Sequence, residues 1–109
     1  MAKAHIVVSR TSARADTGAT LPVPDAVPLQ AMTVGSAASS SVVATFGTSW
    51  SYQVCHITAL GGPLWLAFSK AGGPDPEAGE GNGWLIQDGE SRSFGVVVGQ
   101  KLAIRDAVL

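Results

Sequence analysis

Apolar residues in this chain recur at every second position in short runs, and no window of helical length repeats them at the 3.6-residue period. The longest run covers residues 49–60. Trp50, Tyr52, Val54, His56 and Thr58 fall on one face of it, and Ser51, Gln53, Cys55, Ile57 and Ala59 on the other, because successive side chains of a strand point to opposite sides. The first face starts aromatic and turns polar, as expected of a strand passing from one environment into another. Shorter runs predict strands over 5–9, 28–34, 41–46, 64–68, 84–87, 91–98 and 101–108. In the second of these, Leu29, Ala31 and Thr33 oppose Gln30, Met32 and Val34; in the last, Leu102 and Ile104 share a face that Arg105 does not. Leu64-Trp65-Leu66-Ala67-Phe68 is apolar on both faces, which predicts burial on both sides, inside a sandwich or beneath a neighbouring subunit. The best helical candidate, 36–44, is rich in Ser and Val and has no cap leading into an amphipathic stripe.

Glycine and proline separate these runs. Gly61-Gly62 and Asp88-Gly89 predict hairpins, and Gly99-Gln100 another tight turn. Pro63 can open a strand, where a missing amide donor is tolerated. Residues 69–83, SKAGGPDPEAGEGNG, predict a surface loop with a mobile tip that packs no core. Residues 10–25 are polar and rich in Ala and Thr, with Pro22 and Pro24 biasing them toward extended backbone. The expected fold is therefore all-β: a small antiparallel β-sandwich or jelly-roll-like barrel of about eight short strands with an extended N-terminal arm. Residues 1–26 form a short strand and the arm, and 27–109 the β-sandwich domain. No strand–helix–strand unit appears, which argues against a parallel sheet.

Composition sharpens this picture. Hydrophobic residues make up 46% of the 109 positions and charged residues 14%, against about 25% charged in ordinary globular chains. Part of the surface is then expected to be covered by other protein. Seven basic and eight acidic residues give a formal net charge of −1 with no charged run, so the clustered positive footprint of a nucleic-acid binder is missing. Arg10 and Arg14, flanked by Ser and Thr, come nearest to one. No apolar stretch approaches the roughly 20 residues of a membrane helix, and residues 1–10 hold no apolar core of the length a secretory leader needs. A single cysteine, Cys55, allows no intramolecular disulfide, which fits folding in a reducing cytoplasm.

Candidate chemistry is sparse. Cys55 and His56 are strand neighbours on opposite faces, so they cannot share a metal without a bulge, and His5 is the only other histidine. A core thiol and a half-buried histidine are the expected roles. Asp75, Glu77 and Glu80 miss the spacing of a calcium loop and read as solvated charge. The glycines at 79, 81 and 83 precede a strand rather than the helix a phosphate cradle needs. No G-x-S-x-G elbow occurs. The chain is expected to have no catalytic residues, no cofactor and no metal, and not to be an enzyme. Of the aromatics, most belong in the core, while tryptophan also anchors interfaces. Arg10, Arg14, Leu21 and Val23 of the arm and Trp50, Tyr52, Trp65 and Trp84 of the strands are the candidate interface residues.

One likeness extends this. The segment QVCHITALGGPLWLAFSK, a Gly/Pro loop, and GWLIQDGESRSFGVVVGQKLAIRDA resemble small β-sandwich accessory virion proteins of tailed bacteriophages, over about residues 53–107. The resemblance implies a capsid decoration or cement protein, assembled in the host cytoplasm into the virion. It would be a homo-oligomer contacting the major capsid protein or other virion proteins, with no catalytic residue to carry over. A tail or head–tail junction component of a phage is an alternative. A free carbohydrate-binding β-sandwich module is another, because aromatics on a sandwich face also bind sugar.

Overall fold

A computed structural model of the chain describes residues 2–10, 27–47 and 53–108. In chain order the strands are β1 (Lys3–Ser9), β2 (Gln30–Gly35), β3 (Ser41–Thr45), β4 (Gln53–Leu60), β5 (Leu64–Phe68), β6 (Trp84–Ile86), β7 (Ser91–Val96) and β8 (Lys101–Asp106). They form two four-stranded sheets, ordered β2-β1-β4-β7 and β3-β8-β5-β6, and every pairing is antiparallel. The fold is an all-β sandwich, as the alternation predicts. The arm expected over 10–25 lies, apart from Arg10, outside the described residues, as do 26 and 48–52.

Period-two patterning explains the core. Ala4, Ile6 and Val8 of β1 and Cys55, Ile57 and Ala59 of β4 are fully buried and face Leu64, Leu66, Ile86, Leu102 and Ile104 of the other sheet. Met32, Val34 and Phe94 complete the first sheet's inner face as partly buried neighbours. β1, grouped with the arm by sequence, is a central strand, paired with β2 on one side and β4 on the other.

The turns are real, but the hairpins read at Gly61-Gly62 and Asp88-Gly89 are not. β4 and β5 lie in different sheets, and so do β6 and β7. Both dipeptides carry the chain across the sandwich. The reason is that a turn glycine signals a backbone reversal with positive φ, present here at Gly61 and Gly89 (80° each). That signal carries no information on whether the flanking strands bond to each other. The two crossings are instead bonded together. Gly89 N–H donates to Ala59 O (2.9 Å), and Gly61 N–H donates to Asp88 Oδ1 (3.1 Å). Glu90 closes its own turn by accepting from Gln87 N–H (2.8 Å). That bond, and Arg92 beside it, hold the carboxyl below its ordinary pKa.

The loop after β5 also departs from expectation. It folds back over the outer face of the β3-β8-β5-β6 sheet, where Ala78 is fully buried with Ala67 and Ala103 against Trp65. This is what covers the second apolar face of β5. A run of small residues gives no periodic apolar signal, yet it lets the backbone lie close on the sheet. Asn82 Nδ2 donates to Glu77 O, and Asn82 N–H donates to Gly79 O (3.0 Å), which fixes the returning turn.

Candidate functional site

The outer face of the β3-β8-β5-β6 sheet carries a cleft of about 590 Å³, lined by Trp65 and Arg105 of β5 and β8, Asp106 beside it, and the loop residues Glu77, Glu80 and Asn82. Antiparallel register builds its floor by setting Trp65 directly opposite Arg105. Trp65 is half-buried, and Arg105 is exposed. The connection between β2 and β3 clamps both sides of the cleft. Arg105 Nε donates to Ala38 O (2.9 Å), Asp106 N–H donates to Ala37 O (2.9 Å), and Ala78 N–H donates to Ser40 Oγ (2.8 Å). Gly79 lies against the guanidinium, where a Cβ would make ordinary van der Waals contact with Nη1 at 3.4 Å. Asp106 Oδ1 is buried and has no hydrogen-bond partner.

A second surface lies where the short edge strand β6 meets the edge strand β7. An aromatic row runs outward from the core. Phe46 stacks on Phe68 at 6.3 Å between centroids, Phe68 meets Phe94 at 5.0 Å, and Phe94 meets Trp84 at 5.6 Å. Trp84 ends the row with 52% of its surface exposed, whereas Phe46 is fully buried. Edge strands with free backbone groups are the part of a sheet most open to another chain.

No family model, curated protein or solved structure matches this chain. The reading of its surfaces therefore rests on their own geometry.

The candidate interface residues divide. Trp65 floors the cleft on the outer face of its sheet, whereas Trp84, paired with the inward-facing Leu66 of the neighbouring strand, caps the aromatic row on the other face. Arg10 is half-buried just beyond β1. Arg14, Leu21, Val23, Trp50 and Tyr52 lie outside the described residues. Sequence reasoning passed over Arg105, Asp106 and Asn82. Glu77 and Glu80 were weighed only as calcium ligands, and among the described residues no group of His, Cys, Asp or Glu is placed to hold a metal. Asp75, the third of those carboxylates, pairs with Lys101 Nζ at 2.7 Å. What would have pointed to the cleft is the outward phase of Arg105 opposite an outward tryptophan.

The histidines sit on the far sheet among hydroxyls. His56 bridges Ser9 Oγ (3.2 Å from Nε2) and Ser93 Oγ (2.7 Å from Nδ1), and His5 Nδ1 bonds Thr33 Oγ1 at 2.8 Å. These bonds, with Thr58 to Ser91 at 2.6 Å, tie the strands of that sheet across its outer face. Ser9 itself is buried, so its hydroxyl is held away from solvent. Burial pushes the Cys55 thiol up to about 12, which suppresses the thiolate that nucleophilic or ligating chemistry requires.

Proposed function

We propose that this chain is a non-enzymatic structural protein of a tailed-phage virion, a capsid decoration or cement protein that stabilises the head through many identical contacts. The observation that carries the reading is the Trp84 edge, where a large aromatic is left 52% exposed at the end of a row continuous with the core. Tryptophan in such a position is the residue type that most often dominates an interface. The scarcity of charge, 15 charged residues in 109, and the resemblance of residues 53–107 to phage accessory proteins support the same reading. In this role the edge would meet a neighbouring copy or the major capsid protein, and repetition over the shell would multiply weak contacts into stable occupancy.

Mass spectrometry of purified particles, with the copy number per particle, tests this directly. Decoration requires a copy number in fixed ratio to the major capsid protein. A handful of copies would place the chain in the tail or at the head–tail junction, and absence from the particle would refute a virion role. Trp84→Ala should lower the apparent affinity for undecorated heads by at least about tenfold, as loss of an interface anchor does. Unchanged binding by a folded variant would exclude the β6–β7 edge as the docking surface.

A further inference from the structure

We propose that the Trp65 cleft binds a neutral polyhydroxylated ligand, one pyranose unit of a glycan. This goes beyond the virion role, and neither reading depends on the other. The composition of the cleft selects the ligand class. Three carboxylates (Glu77, Glu80 and Asp106) and one guanidinium (Arg105) line it, so the site carries a formal charge of −2. An anion would face the three carboxylates, and a cation, though drawn by the net charge, would share the cleft with the Arg105 guanidinium on its floor. A sugar avoids both conflicts, because each of its hydroxyl groups donates and accepts.

The individual groups match that need. Arg105 spends its Nε on Ala38 O, which fixes the plane of the guanidinium. Its terminal nitrogens are left to donate into the cleft. Asn82 spends its Nδ2 on Glu77 O, which leaves its Oδ1 as an acceptor. Trp65 packs against the small Ala67, Ala78 and Ala103 and lines the cleft, where its indole would stack on the C–H side of a pyranose ring. The volume of about 590 Å³ falls within the roughly 300–1,000 Å³ range of small-ligand sites. The fold supplies rigidity, since the same β2–β3 connection bonds β8 and the loop wall.

The test is NMR titration of the full ¹⁵N-labelled chain with the methyl glycosides of glucose, galactose, mannose and N-acetylglucosamine, each to about 50 mM, because weak single-sugar sites have dissociation constants near the millimolar range. At least one glycoside should shift the Trp65 indole N–H and the Asn82 side-chain amide saturably while leaving the Trp84 indole N–H unmoved. Arg105→Gln and Glu80→Gln should each weaken that binding about tenfold or more. Glu80 makes no bond that holds the fold among those described, so the second variant keeps the test valid if the first fails to fold. Absence of saturable shifts with all four glycosides would overturn the proposal. So would shifts that persist unchanged in Glu80→Gln, or that appear with acetate or N-acetyl-lysine methylamide in place of the sugars.

Discussion

Cys55 shows how far a single side chain is decided by its strand. The alternation of β4 sends it inward with Ile57 and Ala59, all three fully buried, and removal from water raises its thiol pKa to about 12 from an ordinary 9.0. Desolvation disfavours the charged form, which for a thiol means the proton is held more tightly in the folded state. Below about pH 9 folded and unfolded chains both hold that proton, and the benefit of burying a neutral thiol is intact. Between about pH 9 and 12 only the unfolded chain releases it, so stability falls as pH rises through that window. At neutral pH, Cys55→Ala should cost about 1–2 kcal/mol for the vacated sulfur volume. Urea unfolding at a series of pH values should show this difference from the parent chain shrinking as pH climbs past 9. A gap that stays constant up to pH 11 would mean that the thiol is not insulated from water. A disulfide reagent at about pH 8 should leave the folded chain unmodified and react fully once urea is added.

At the level of elements, the decisive contacts are made by backbone. Gly83 leads into β6 with φ +113°, and a Cβ there would lie 2.0 Å from Leu66 O of β5. The pairing of Leu66 with Trp84 needs that approach. Gly83→Ala should therefore destabilise by about 3 kcal/mol or more, from positive φ and from backbone overlap together. Gly95 of the edge strand β7 has ordinary φ and open space around its Cβ position. Gly95→Ala should be neutral or stabilising by up to about 1 kcal/mol, since a strand glycine carries an entropic cost. Chemical unfolding midpoints of the two variants would decide this, and equal effects would show that the close approach at Gly83 is not needed. These elements also mark what was readable beforehand. Alternation located β1 to β8 within a few residues, because each strand buries one face. The turns at Gly61 and Gly89 were readable as turns, but which sheet each strand joins depends on pairing between distant segments, and local glycine chemistry is blind to that. The cleft was hidden for the same reason. Trp65, Arg105 and Asn82 come from two strands and a loop, and only register and the burial of Ala78 bring them together.

The molecule as a whole depends on its first strand. A division at residue 26 would leave 27–109 as the domain, yet β1 stands in the middle of its sheet, between β2 and β4. Without β1, β2 has no strand to pair with and β4 keeps only β7. Ile6 and Val8, both fully buried, are each worth about 1.5–3 kcal/mol of burial, before the loss of two hydrogen-bonded ladders is counted. Against a total stability of about 5–15 kcal/mol for a domain, that loss is enough to unfold the chain. The 27–109 fragment should accordingly give a poorly dispersed NMR spectrum and no cooperative urea transition. A synthetic peptide of residues 2–10 should restore both by inserting between β2 and β4. Restoration should fail with Ile6→Asp in the peptide, which places a charge on the core face, and should survive His5→Asp, which changes only the exposed face. A fragment that folds cooperatively by itself would show that β1 is an accessory strand. It would also change how the arm is tested. Because β1 is structural, any contribution of the 10–25 arm to the proposed virion contacts has to be probed by replacing 12–24 with a Gly/Ser segment of equal length, keeping β1 in place, and measuring attachment to the shell.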